Sequence, residues 1–395
     1  MMREEETRPL SRRTKTVLLC VLCFLLGSLA ALAVVWQLMG QEGRTLLRAN
    51  QLIEQRFVGD YDPEKTMDAA LDAMVGSLGD RWSYYLTPDQ AKQVREERRN
   101  SYVGIGITVS RDLEDGLKIR DVTPDSPAQE AGLTAGEIIR SVNDIVITPQ
   151  TQEQAVQTIK GEENARVTLV VEGTDGARRT VEVVCRQIQK TSATYTMLDG
   201  QVGLVRIKNF YTGTADLIRE GVQALQEQGA TALVFDVRSN PGGYVTEMTE
   251  ALDFLLPEGT IFRSRAYNGK ETTYSSDAAC VDLPMAVVVN EDSYSAAEFF
   301  AAALQESAGA VVAGAQTSGK GYSQVLFGLP NGSAVGLSTA RYYTGSGVSL
   351  IGTGLHPDPA CTLDQQAQEQ YLAGTLLPQE DTQLQQAIQA LEDWM

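Results

Sequence analysis

The chain has 395 residues, with 51 acidic against 33 basic side chains and a net charge of -18, long enough for two or three domains, each with its own core. That acidity argues against non-specific nucleic-acid binding, which needs a basic footprint, and says otherwise only that the surface repels itself. A single histidine, His356, argues against an ordinary Ser-His-Asp triad, so any serine chemistry needs another base.

Arg8, Arg12, Arg13 and Lys15 precede the first apolar run. That run, 17–39, holds no charge and as a helix would span about 34 Å, enough to cross a bilayer core. The basic flank puts the amino end, 1–16, in the cytoplasm and everything after the run outside. Ala31-Leu32-Ala33 also fits a signal-peptide cleavage pattern, but apolar character continues through Val34, Val35, Trp36, Leu38 and Met39 and favours an uncleaved anchor. Cys20 and Cys23 lie in the run without the small residue expected before a lipidated cysteine. Cys185, Cys280 and Cys361 would lie outside, where at most one bond can form among three, Cys280–Cys361 being one pairing. No spacing reads as a metal site, and no cofactor is expected.

Residues 40–98 read as a helical, polar-faced segment packing on the later part of the chain. It is interrupted at Gly79-Asp-Arg-Trp-Ser-Tyr-Tyr-Leu86 and resumes at Thr87-Pro88-Asp89. From Ser101 short alternating strands begin: Val103–Val109, Leu117–Val122, Glu137–Val142, Val167–Val171 and Thr180–Val184. A capped turn of helix at Ser126–Gly132 and a helix over Gln152–Lys160 complete the set. These elements, with Pro124–Leu133 and Gly136-Glu-Ile-Ile, resemble a PDZ domain over 99–188. The resemblance makes Val103, Gly104, Ile105, Gly106 and Ile107 the peptide-binding strand and carboxylate loop, where glycines let successive N–H groups face a terminal carboxylate. A bulge in an edge strand would also accommodate the two glycines.

From Thr194 strands and helices alternate: strand Val202–Ile207, a helix around Leu217–Leu225, strand Ala232–Val237, a helix from Val245 to Leu255, and strand Met285–Val289. The last leads into Asn290-Glu-Asp-Ser-Tyr-Ser-Ala-Ala-Glu298. Ser295-x-x-Glu298 is a capping box, yet a helix start also supplies N–H groups, Ala296 among them, able to hold an oxyanion. Lys320, in Thr317-Ser-Gly-Lys-Gly-Tyr-Ser-Gln324, is the candidate base. Gly314–Lys320 also satisfies GxxxxGK, but Gly321 stands where a magnesium-binding Ser or Thr belongs and a strand comes next rather than a helix. Arg238-Ser-Asn-Pro-Gly-Gly243, just after a buried strand, offers Gly242 and Gly243 as further oxyanion donors. Leu384, Ile388, Leu391 and Trp394 mark a closing amphipathic helix.

Together these stretches resemble the C-terminal processing peptidases, or tail-specific proteases. The resemblance spans roughly 65–362 and includes Val202–Phe210, Ala340–Thr344 and Gly352–Asp358. It implies Ser295 as nucleophile, Lys320 as general base and Gln324 as the group that positions the lysine amine. It also implies a ClpP/crotonase-like α/β protease core over 189–362 with an inserted PDZ domain. With the transmembrane anchor 17–39 and a C-terminal helical segment, 363–395, read from the residues themselves, the expected fold is an α+β multi-domain chain. Tyr294, before the serine, and Ser318 depart from the family pattern. The expected function is a Ser-Lys endopeptidase at a bacterial cell membrane, single-pass, with its catalytic part extracytoplasmic. Its partners would be protein or peptide substrates with accessible C-terminal tails, a homo-oligomer being open. The alternatives are a catalytically inactive PDZ-type peptide-binding scaffold and a crotonase-like acyl-CoA enzyme.

Overall fold

The computed structural model describes residues 12–392; Arg8 of the basic flank and Trp394 of the closing helix lie outside them. Internal contacts divide the chain between Ala70 and Leu71. The first unit contains helices Arg12–Leu38 and Gly40–Arg56 and the start of helix Pro63–Gly76. Leu18–Leu38 is long and apolar enough to cross a membrane, and none of it is buried within the protein.

In the second unit two small sheets build the PDZ region. Leu117, Ile119, Ile139, Leu169 and Val171 alternate inward and are wholly buried. The single strand expected over Val103–Val109 is two. Ser101–Gly104 pairs with Arg186–Gln189, while Ile107–Ser110 pairs with Leu117–Val122. The break is at Gly106, whose φ is +87° and where a Cβ would stand 2.2 Å from Cβ of Ser126, so only glycine fits there.

The remainder of this unit is built on a five-stranded sheet. Val202–Ile207, Ala232–Asp236, Met285–Val289 and Val311–Gly314 run parallel in that order, with Ala193–Met197 antiparallel at one edge. Two of these strands are buried at every position, as a parallel sheet covered on both faces requires. Helices Thr214–Glu227, Val245–Leu255 and Ala296–Ala308 cover one face around Phe235 and Phe300. The closing helix Thr382–Glu392 covers the other through Leu384, Ala387 and Leu391. A second, antiparallel sheet joins Tyr84–Leu86, Ala334–Thr344, Gly259–Ala266, Glu271–Ser276 and Tyr322–Gly328. The interruption at 79–86 thus contributes a strand, Tyr84 pairing with Gly336.

A buried polar knot fastens the closing segment beneath the site. Arg238 donates from Nε to Asp236 (2.9 Å), from Nη2 to Asp381 (2.6 Å) and from Nη1 to Gln383 (3.1 Å). Its guanidinium lies 4.2 Å from the Tyr371 ring centre. Burial alone pushes the Asp236 carboxyl up, but the Arg238 and Arg206 charges outweigh it and hold Asp236 below its ordinary range.

Candidate active site

Three turns at the carboxyl ends of the parallel strands converge. Arg238–Gly243 follows the strand ending at Asp236, Asn290–Ser295 follows that ending at Val289, and 315–321 follows that ending at Gly314. The first two are stitched together by Ser293 Oγ to Val237 O (2.7 Å), the Ser239 N–H to Asn290 Oδ1 (2.7 Å) and the Tyr294 N–H to Asn240 O (3.1 Å).

Ser295 is 8% exposed and stands at φ +59°, ψ -126°. A non-glycine residue in this region is strained by about 1–3 kcal/mol, and such strain collects at functional sites. A nucleophile held on a tight strand-to-helix turn is one arrangement that uses it. Glu298 holds the turn. Its fully buried carboxylate accepts the N–H groups of Ser295 (2.9 Å), Gly319 (2.7 Å) and Lys320 (2.9 Å), and the hydroxyl of Thr317 (2.5 Å). The capping box therefore does more than start a helix: one carboxylate joins the serine turn to the lysine turn.

Ser295, Lys320, Gln324 and Gly243 all line one cavity of about 280 Å³. The Lys320 amine lies 4.7 Å from the ring centre of Trp82 and 5.3 Å from that of Tyr294. Burial pushes its pKa down to about 8, the Arg98 charge adding to the effect while Glu298 and Asp80 oppose it. The hydrogen bonds of the Gln324 amide run from Nε2 to Tyr322 O (3.0 Å) and Ser338 Oγ (3.3 Å), beside a register shift at Ser323/Gln324. The amine is thus flanked by two aromatic rings.

Of the three oxyanion donors considered, one is already engaged. The Gly242 N–H donates to Asn240 Oδ1 at 2.8 Å, so of the expected donors Gly243 and Ala296 remain. Gly243 packs so tightly that a Cβ would lie 2.2 Å from Phe210 O. In the PDZ region Gly104, Ile105, Gly106 and Ile107 line a small apolar groove with Val156 and Ile159. Val103 instead packs against the domain core, and Tyr102 takes its place at the groove. Trp82 against the Lys320 amine, Arg98 at the cavity and Tyr102 at the groove are additions of the structure to the expected residues. Only Trp82, within the distinctive 79–86 stretch, carried a signal.

The core is a mixed helix-and-sheet fold with a PDZ region, and its serine and lysine turns open onto one cavity. Residues 201–360 match the model of peptidase family S41, and 118–173 match that of the PDZ domain. The chain is 31% identical over 317 residues to the carboxy-terminal-processing protease of Bartonella bacilliformis, covering 78% of this chain and 72% of that one. It is 29% identical over 312 residues to a CtpA-like serine protease of Staphylococcus aureus, again covering 78% of this chain. The chain spans 62% of the length of that relative. An S41 protease structure from Bacteroides fragilis shares the fold at 18% identity and a TM-score of 0.52, covering 88% of this chain and 97% of its own. The chain belongs to the carboxy-terminal-processing proteases of peptidase family S41 and carries a PDZ domain.

Proposed function

We propose that the chain is a serine endopeptidase working through a Ser295–Lys320 dyad on proteins chosen by their C-terminal tails. The observation that carries this reading is the opening of strained Ser295 onto the same cavity as a lysine whose pKa burial has lowered to about 8. Neutral Lys320 takes the Ser295 proton as Oγ attacks a peptide carbonyl. The N–H groups of Gly243 and Ala296 hold the oxyanion. Protonated Lys320 then gives its proton to the leaving amine, and water, deprotonated by the same lysine, releases the acyl group. Productive geometry requires the amine to leave Trp82 and Tyr294 for Ser295, where the Gln324 carbonyl oxygen can hold it.

The core over 189–362 is read as ClpP/crotonase-like and 99–188 as the inserted PDZ domain. Its groove at Gly104–Ile107 would take an apolar C-terminal residue, with loop N–H groups on the carboxylate. The segment 17–39 is read as a single-pass anchor at a bacterial membrane, leaving the catalytic part extracytoplasmic. Treatment with a peptidyl phosphonate diester tests the dyad: a covalent adduct is expected on Ser295 in wild-type protein and none in Lys320→Ala. An adduct elsewhere, or equal labelling of both proteins, would overturn the assignment.

A further inference from the structure

The cavity shared by Ser295 and Lys320 holds two cationic side chains, Arg98 and Lys320, and none of its described lining residues is acidic. The chain as a whole is acidic, with a net charge of -18. If Lys320 works as a neutral base, Arg98 is the permanent positive charge there.

Arg98 is carried by a regular helix. It ends the helix Pro88–Arg98, which starts with a full capping box between Thr87 and Gln90. Past its carboxyl end, Thr212 Oγ1 donates a long bond to Arg98 O (3.4 Å) and Asn100 Nδ2 donates to Lys190 O (3.2 Å). The guanidinium, by contrast, has only a long hydrogen bond from Nη2 to Tyr84 Oη (3.4 Å), and it has no carboxylate within ion-pair range among the described residues. Acids around the cleft have other partners: Glu97, next to Arg98 in the chain, accepts the Gln93 amide (3.0 Å). Glu298 accepts its four donors from the serine and lysine turns, Glu247 accepts the Gly213 and Ala215 N–H groups (2.9 Å each), and Asp80 accepts the Ser83 hydroxyl (2.6 Å). A planar donor set without a carboxylate partner among the described residues, lining the same cavity as Ser295, suits a carboxylate, which it can bind through two parallel hydrogen bonds.

We propose that Arg98 is a specificity-determining residue that binds a substrate carboxylate in the cleft. The carboxylate is either an Asp or Glu side chain next to the scissile bond or the free α-carboxylate of a short tail. This rests on reading the cleft as the peptidase site. It differs from tail capture by the PDZ groove, which the Gly104–Ile107 stretch lines and Arg98 does not.

The test uses the full chain in detergent and fluorogenic peptides sharing one neutral sequence. Glutamine is exchanged for glutamate or for lysine at each position flanking the cut, and every peptide is made with a free and an amidated C-terminus. Wild-type protein is expected to prefer one acidic form by roughly tenfold to a hundredfold in kcat/KM. A gain from glutamate identifies the side chain, and a gain from the free terminus identifies the α-carboxylate. In Arg98→Gln the ratio should fall to near one. In Arg98→Glu it should invert in favour of lysine at the same position, which a purely structural role would not produce. Cleavage without acidic preference, or a preference that survives Arg98→Gln, overturns the inference and leaves the peptidase reading intact. If wild-type protein cleaves no peptide and takes no phosphonate at Ser295, both fall.

Discussion

Replacing Lys320 by alanine is expected to lower kcat/KM for peptide hydrolysis by roughly 10,000-fold, the range for removing a general base that acts as one unit with its nucleophile. The wild-type pH profile should carry the same signature. Burial and the Arg98 charge depress the lysine to about 8 from its ordinary value of 10.5. Only the neutral amine can accept the serine proton, so kcat/KM should rise with pH and reach half its limit near pH 8. At pH 7 roughly a tenth of the molecules would hold the base in its active form. A profile flat from pH 6 to 9, or a midpoint near 6, would point to a different base. His356, as the lone imidazole, is the control: His356→Asn should leave the midpoint in place.

The second large effect is on stability. Arg238→Met is expected to cost about 3–5 kcal/mol, because it leaves the Asp236 and Asp381 carboxylates buried with their principal partner gone. Asp236, Arg238 and Asp381 are each no more than 2% exposed at the side chain, so water cannot replace the guanidinium without opening the layer. The loss should appear as a fall in Tm of roughly 10 °C. Proteolysis should begin in the closing helix, since Arg238 links it to the turn carrying Gly243. Combining Arg238→Met with Asp236→Leu and Asp381→Leu should recover much of the loss, because an apolar set of similar volume needs no hydrogen bonds. Full stability in Arg238→Met alone would show that the knot contributes little.

Much of the architecture is legible in the chain. The wholly buried strands announce themselves as short runs such as Met285–Val289, and the helices between them carry apolar residues at helical spacing. The serine and lysine turns stand out because their residue types are unusual together, and the structure brings them to one cavity. What sequence does not reveal is long-range. Glu298 reads locally as a cap partner, and nothing in its neighbours shows that it also takes the N–H groups of Gly319 and Lys320. The engagement of the Gly242 N–H depends on how Asn240 points. Arg98 looks like one more charge on a polar helix until Pro88–Arg98 is laid against the cleft. The strand Tyr84–Leu86 is too short to signal itself and exists because Ala334–Gly336 offers it an edge.

The central claim, that Ser295 is the nucleophile of a tail-directed peptidase, is tested most directly by incubating an unstructured C-terminal tail with purified full-length wild-type and Ser295→Ala proteins and tracking cleavage by mass spectrometry. Wild-type protein should cleave the tail, and the alanine variant should retain the fold and bind the tail while its turnover falls by roughly 100,000-fold or more. Equal cleavage by the two proteins would contradict it.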